Sequence, residues 1–362
     1  MASPRILIMA GGTGGHIFPA LAVARALMAR GADVRWLGTR QGLESKIIPQ
    51  EKIAIEWITV SGLRGKGAVS WLTAPFKLFK ALFQAVKVIR NYQPNVVLGM
   101  GGFASGPGGL AAWILRKPLL IHEQNAISGL TNKILAPLAV KVIQAFPAAF
   151  AKRSNVITTG NPVRDDIASL QNPEQRLLNR VGSLRVLVVG GSLGAQVFNE
   201  SIPQAVAQLP ESERPELWHQ TGERHLESAK SCYEQLGVSA RVEPFVENMA
   251  EAYAWSDVVI CRAGALTVSE LAAAGAASIL VPFPFAVDDH QTANAKYLSE
   301  HNAAILLSQD QFTSEALLEL LCKYSGLEGR KELQLMAAAA RALAKTDATE
   351  RVMQMCLEEA HV

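Results

Sequence analysis

The chain has 362 residues, 49% of them hydrophobic and 19% charged, with 28 Gly, 17 Pro and a formal net charge of +3. That length points to two domains, each able to bury its own core, and that composition excludes a disordered, collagen-like or low-complexity chain. The charge is divided between the halves: residues 1–164 carry 20 Lys/Arg against 5 Asp/Glu, a net +15, while 165–362 carry 15 against 27, a net −12.

A basic half of this size implies an anionic partner: a phosphorylated substrate, anionic lipid or nucleic acid. Cys232, Cys261, Cys322 and Cys356 lack C-x-x-C spacing and are too few for a disulfide framework, so reduced thiols in a cytosolic protein are expected. Met1-Ala2-Ser3-Pro4-Arg5 runs straight into a strand pattern, without the charged start, apolar stretch and cleavage site of a secretory signal. The longest uncharged windows, 91–115 and 271–287, are broken by Gly and Pro, so no membrane span is expected.

The first element is Arg5-Ile6-Leu7-Ile8-Met9, a buried-type strand followed by Ala10-Gly11-Gly12-Thr13-Gly14-Gly15 and a helical pattern over 20–29. His16 follows the glycines at the helix start, where a role at a site is favoured over a purely structural one. A strand is predicted at 34–37. From Ser70 to Tyr92, Thr73 and Pro75 make a plausible helix start. Leu72, Phe76, Phe79, Phe83 and Val86 then recur at three-to-four spacing, with Lys77, Lys80, Gln84 and Lys87 on another face. Aromatics beside lysines with no acid fit a helix lying in a membrane interface, and they disfavour nucleic acid. A domain helix with an aromatic core stripe satisfies the same periodicity.

Strands at 96–98, 119–122 and 156–158 follow. Between them, Gly99-x-Gly101-x-x-Ala104 with Glu123 imitates a dinucleotide fingerprint. Gly106-Pro107 is expected to interrupt the helix that fingerprint needs, so no nicotinamide cofactor is predicted. His122-Glu123-Gln124-Asn125 brings polar groups to a strand end, and Asn161-Pro162-Val163-Arg164-Asp165-Asp166 reads as the interdomain linker. The opening then repeats at an offset of 180: Arg185-Val186-Leu187-Val188-Val189 and Gly190-Gly191-Ser192-Leu193-Gly194-Ala195, with a helix over 197–207. Strands at 218–221, 242–245, 258–261 and 278–281 complete the second half. Two such openings predict two tandem doubly wound sheets, with a ligand cleft between the carboxyl ends of their strands. After 258–261, Gly264 permits a turn and the N–H groups from Ala265 open a helix able to take a phosphate. No Asp-x-Asp or metal-ligand cluster occurs, so no protein-held metal is expected.

Taken together, Gly11 to His16, Gly101-Gly102-Phe103-x-Ser105-Gly106-Pro107, His122 to Asn125, Gly160 to Arg164, Gly190-Gly191-Ser192-x-Gly194-Ala195 and Gly264 to Glu270 resemble glycosyltransferase family 28. The resemblance covers nearly the whole chain in the family's order. It implies the α/β GT-B fold, two Rossmann-like domains facing across a deep cleft. Residues 1–164 would form the acceptor and membrane-association domain and 165–340 the donor domain. Residues 341–362 would form a helix packing back on the first.

The implied reaction transfers GlcNAc from UDP-N-acetylglucosamine to the 4-hydroxyl of MurNAc in lipid I, undecaprenyl-diphosphate-MurNAc-pentapeptide. The product, lipid II, would carry a β-1,4 link made with inversion, at the cytoplasmic face of the inner membrane, in peptidoglycan biosynthesis. By that resemblance the donor meets Thr13, Gly14, Gly15, Asn125, Arg164, Ser192, Val246, Gln291 and the run Ala265, Leu266, Thr267, Val268, Ser269 and Glu270. The segment from Pro282 to Gln291 is longer than the family pattern. The acceptor diphosphate would lie by the two glycine loops, at Gly12, Gly102, Ser105 and Gly106.

Read for this chemistry, the residues offer His16 or Glu123 as the base, with Glu123 alternatively orienting nearby backbone. Arg262 and the 265–267 amides would steady the leaving UDP. The basic half would face anionic phospholipid, with Trp71, Phe76, Phe79 and Phe83 dipping into the interface beside Lys77 and Lys80. No cofactor and no nucleic acid are expected. Two rivals are a UDP-GlcNAc 2-epimerase on the same fold and a non-catalytic scaffold that only binds a lipid-linked sugar.

Overall fold

The computed structural model describes residues 3–60, 68–178, 180–191 and 194–360, with only the backbone for 68–74 and for 287. The chain forms two compact units, one of residues up to Arg164 together with those from Thr346 onward, the other Asp165–Lys345.

The first unit is built on a parallel sheet of seven strands: β1 (Arg5–Met9), β2 (Asp33–Gly38), β3 (Ala54–Trp57), β4 (Val96–Gly99), β5 (Leu119–Glu123), β6 (Lys141–Gln144) and β7 (Val156–Thr158). Their order is β3-β2-β1-β4-β5-β6-β7. The central strands are unbroken apolar runs because helices cover both faces; Ile6, Leu7, Ile8 and Met9 are wholly buried. The second unit carries six: β8 (Arg185–Val189), β9 (Glu216–Gln220), β10 (Arg241–Glu243), β11 (Val258–Cys261), β12 (Ser278–Leu280) and β13 (Ile305–Leu306), ordered β10-β9-β8-β11-β12-β13. The repeated opening supplies β1 and β8, each at the point where strand order reverses. The crevices of doubly wound sheets lie at such points.

Several elements depart from the sequence reading. β3, β6 and β13 are not among the predicted strands: β3 is a half-exposed edge strand, β6 has only Val142 and Ile143 between Lys141 and the buried amide Gln144, and β13 has two residues, Ile305 and Leu306. The first helix is Gly14–Ala29, longer than the predicted 20–29, with Pro19 inside it. The basic helix is Ala68–Tyr92 and begins upstream of Pro75, which sits within it. A helix does follow the second glycine loop. It spans Ser105–Ile114, and Pro107 is tolerated in its first turn, where an N–H has no intrahelical acceptor to lose.

The last helix, Ala348–Glu359, packs on Gly14–Ala29 through Val352, Met353 and Cys356. Its acids meet basic residues of the same unit: Glu350 pairs with Arg30 at 2.9 Å, and Glu358 and Glu359 with Lys141 at 2.8 and 3.2 Å. With this helix included, the first unit carries 21 Lys/Arg and 9 Asp/Glu, a net +12.

Candidate functional site

In the first unit the glycine loops after β1 and β4 flank the reversal point and pack on each other. A Cβ on Gly102 would run into the Gly11 carbonyl, and Gly12, Gly101 and Gly102 hold φ of +91°, +93° and +83°. Such angles strain any side-chain-bearing residue. Beneath the first loop lies Glu44, wholly buried. Its carboxylate accepts from the Gly12 amide at 3.0 Å, the Thr39 amide at 2.9 Å and the Thr39 hydroxyl at 2.8 Å. The Gly12 N–H is therefore engaged, and the Gly14 and Gly15 amides at the helix N-terminus are the loop's outward donors. Ser105 also turns inward: it is wholly buried, with its hydroxyl on the Met9 and Gly101 carbonyls at 3.0 and 2.7 Å. Its part is to tie the second loop to the end of β1. Gly102 and Gly106 remain partly exposed at the rim, and Thr13, the N-cap residue, is exposed.

His16 stands in the first turn of its helix with its ring against Gly101; a Cβ there would lie 2.6 Å from Nδ1. Nδ1 is 3.0 Å from the Gln124 amide oxygen, the Gln124 amide nitrogen is 3.1 Å from His122 Nδ1, and His122 Nε2 is 3.1 Å from the Gly160 carbonyl. His122 and Gln124 are buried at the end of β5, and burial lowers the His122 pKa to about 4, so its ring is neutral near pH 7.

Glu123 faces the other way. It is 2% exposed, and its two oxygens accept from the Asn125 amide and side chain, the Gly129 amide and the Asn132 side chain at 2.9 to 3.2 Å. Four donors on a buried carboxylate make Glu123 an anchor of the 124–132 segment, and of the two base candidates only His16 keeps a ring nitrogen that no described residue takes. Asn125 is half-buried beside it, and Arg164 is half-buried at the end of the unit.

In the second unit the loops after β8 and β11 flank the equivalent reversal. Ser192 lies outside the described residues. Around it, Gly191 and Gly194 hold φ of +84° and +75°, and a Cβ on Gly194 would strike the Thr221 carbonyl. Gln220 braces this loop: its Oε1 accepts from the Gly191 amide at 3.0 Å, while Nε2 donates to the Gly191 and Pro244 carbonyls at 2.9 and 3.0 Å.

The helix Ala265–Ala274 starts after Gly264, and the amides of Ala265, Leu266 and Thr267 lie in its first turn, at the positive end of the helix dipole. The Val268 amide is already bonded to the Gly264 carbonyl at 2.9 Å and its side chain is buried. The Ser269 hydroxyl donates back to the Ala265 carbonyl at 3.0 Å. Glu270 is 8% exposed and accepts from the Tyr253 hydroxyl at 3.1 Å, so it is no solvent-facing helix residue.

Arg262 differs most from its expected part. Its guanidinium donates to the Val281 and Pro282 carbonyls, both at 3.2 Å, and to the Gln309 side chain at 2.6 Å, stacked over Phe198 and Phe283. Those donors are spent holding the 281–283 turn rather than facing a phosphate. Gln291 accepts from the Phe283 amide at 2.9 Å, and the Val246 side chain is buried, leaving its backbone as the contact it can offer.

On the helix Ala68–Tyr92, Ala81, Ala85 and Ile89 face the core, while Phe76, Phe79 and Phe83 are 81%, 71% and 65% exposed beside exposed Lys77 and Lys80. The aromatic stripe is thus not the core face. The Trp71 side chain lies outside what is described. Among the described residues no helix is long and apolar enough to cross a membrane, and no three His, Cys, Asp or Glu side chains group to hold a metal ion.

The sequence reading missed Glu44, Gln124, Gln220 and Asn132. Glu44 is one of 5 acids among residues 1–164, a rarity that is itself a signal. Gln124 lies inside a motif already singled out, and the other two carry no local mark.

Residues 6–144 match the glycosyltransferase family 28 N-terminal domain and 185–352 the family's C-terminal domain. A protein of Marinobacter nauticus named UDP-N-acetylglucosamine--N-acetylmuramyl-(pentapeptide) pyrophosphoryl-undecaprenol N-acetylglucosamine transferase is 56% identical over 357 residues, covering 99% of this chain and 98% of its own. One of the same name from Nitrosococcus oceani is 54% identical over 98% of this chain and 99% of its own. Among solved structures, Acinetobacter baumannii MurG aligns with a TM-score of 0.85 at 42% identity, over 98% of this chain and 99% of that one. A UDP-N-acetylglucosamine 2-epimerase aligns with a TM-score of 0.65 at 13% identity, over 99% of this chain and 97% of that one, a likeness of fold alone.

Proposed function

The chain belongs to glycosyltransferase family 28, and from that membership we propose that it is the N-acetylglucosaminyltransferase that converts lipid I to lipid II, consuming UDP-N-acetylglucosamine. One observation carries the reading: end-to-end identity of 52–56% to relatives named for this transfer, with both family domains present. Its architecture is GT-B, with a Rossmann-like sheet in each unit.

The reaction is read as a single displacement. The MurNAc 4-hydroxyl oxygen bonds to the anomeric carbon of GlcNAc as the bond from that carbon to the UDP phosphate oxygen breaks, which inverts the centre to β-1,4. The hydroxyl proton passes to His16 Nε2, and the electron pair leaves with UDP. The helix N-terminus at Ala265, Leu266 and Thr267 favours, through its dipole, the charge that grows on the diphosphate, while Glu270 is at hand for ribose hydroxyls. The remaining donor contacts are Thr13, Asn125, Arg164, Ser192, Val246 and Gln291. In the first unit the Gly14 and Gly15 amides, with the rim at Gly102 and Gly106, are suited to the acceptor diphosphate.

Phe76, Phe79 and Phe83 are fit to enter the interface of an anionic bilayer, with Lys77 and Lys80 on the headgroups, so the enzyme acts as a peripheral protein on the cytoplasmic face of the inner membrane.

Two experiments test this. UDP release from UDP-N-acetylglucosamine is measured in EDTA with and without a lipid I analogue. Release that depends on acceptor supports the transferase, release without acceptor points to an epimerase or hydrolase, and binding without release points to a scaffold. For the surface, Lys77→Glu with Lys80→Glu is expected to weaken binding to anionic liposomes while sparing turnover of a short-chain soluble acceptor; unchanged liposome binding would overturn it.

A further inference from the structure

We infer that His122, acting through Gln124, sets which ring nitrogen of His16 carries the proton, so that the neutral His16 ring holds hydrogen on Nδ1 and presents a bare, basic Nε2. The inference rests on the reading of His16 as base; His122 and Gln124 are positioning residues.

The chain of bonds can be solved from its fixed end. The Gly160 carbonyl can only accept, so His122 Nε2, 3.1 Å away, must carry hydrogen. His122 is wholly buried and neutral near pH 7, because burial lowers its pKa to about 4, so its Nδ1 is a lone pair. A lone pair needs a donor, which turns the Gln124 amide nitrogen toward it at 3.1 Å, and the same nitrogen lies 3.3 Å from the His122 carbonyl. The amide oxygen then points to His16 Nδ1 at 3.0 Å, and an oxygen there requires hydrogen on Nδ1. Turning the amide over would place two acceptors or two donors in contact unless His122 took a second proton, against its desolvation.

Each member is held in place. Gln124 is 1% exposed, the Asn161 side chain bonds its carbonyl at 3.1 Å, and the His16 ring lies on the bare face of Gly101. An orienting partner of this kind selects the tautomer of a catalytic histidine.

Ring nitrogen NMR of the 15N-histidine-labelled free enzyme reads this directly, with His16→Ala and His122→Asn identifying the two rings. The expected wild-type spectrum shows His16 protonated on Nδ1 and His122 on Nε2. In Gln124→Leu, His16 loses its fixed tautomer and kcat drops about 100-fold, within the range of a general base, while KM for UDP-N-acetylglucosamine stays within about twofold. A wild-type His16 bearing its hydrogen on Nε2 would overturn the inference whether or not any variant folds. So would a Gln124→Leu enzyme whose turnover is unchanged. If the tautomer is as assigned but His16→Ala keeps full turnover, the base reading fails and the relay loses its catalytic purpose, an outcome visible separately from the spectrum.

Discussion

The two glycine loops begin with the same chain pattern and stand at the same place in their sheets, yet they are braced by opposite chemistry. Under the first, a wholly buried carboxylate, Glu44, takes the Gly12 amide and both donors of Thr39. Under the second, a neutral amide, Gln220, both accepts from Gly191 and donates to the Gly191 and Pro244 carbonyls. The first loop also carries a histidine packed on a second glycine loop, while the second unit's partner feature is the N-terminus of the helix Ala265–Ala274. A shared supersecondary opening thus provides an anion cradle twice. What packs beneath and beside it differs between the units, and on the function proposed above the first cradle is the one that gains a base.

The largest test of that contrast is His16→Ala. If His16 is the base and UDP is held by the second unit, as proposed above, kcat is expected to fall about 10²–10⁴-fold while UDP affinity stays put. A comparable loss of UDP binding would break the division of labour.

Next comes pH. Among the described residues each unit holds one wholly buried histidine, His122 with its pKa lowered to about 4 and His219 to about 3, both by burial. Folded pKa values below the ordinary 6.5 mean that the unfolded chain binds more protons in this window. The stabilisation is therefore complete above pH 6.5 and lost as pH falls toward 4 and then 3, on the order of 3–5 kcal/mol for each. Urea unfolding followed from pH 7 to pH 4 should show the loss. His122→Asn should flatten the first unit's share and leave the second's.

The smaller effect concerns the braces. Glu44→Gln turns a donor toward Gly12 or Thr39, and Gln220→Glu sets a carboxylate against two carbonyls. Each is expected to cost about 1–3 kcal/mol in chemical denaturation. Only Glu44→Gln should raise the acceptor KM. If either exchange is neutral, the two loops are not differently braced.

Much of the fold was legible because parallel strands buried on both faces must be apolar runs, and because glycine-rich turns mark strand ends. Two strands of the first sheet were not: β3, a half-exposed edge, has no unbroken apolar run, and β6, an interior strand, has only Val142 and Ile143 between Lys141 and Gln144. The exposed Phe76, Phe79 and Phe83 show why periodicity alone misleads; the small residues Ala81 and Ala85 form the buried face, where a helix lies close against its neighbour. At the site, His16, Glu123 and the 265–270 run could be singled out by type and spacing. Arg262 was expected at the leaving UDP, because nothing local says that its donors meet the Val281 and Pro282 carbonyls.

By itself, then, the sequence determined two tandem sheets, the position of a glycine-rich cradle at each reversal point, the basic character of the first half and the family. These follow from residue order, composition and local conformational freedom. Only the tertiary structure decided which polar side chains spend their hydrogen bonds inside and which keep an atom outward. Glu44 bonds to Gly12, 32 residues away, Ser105 to Met9, 96 away, and Arg262 to Gln309, 47 away, while His16 receives its orientation from Gln124, 108 residues away. Hydrogen-bond saturation depends on atoms brought together by folding, and no spacing along the chain encodes it.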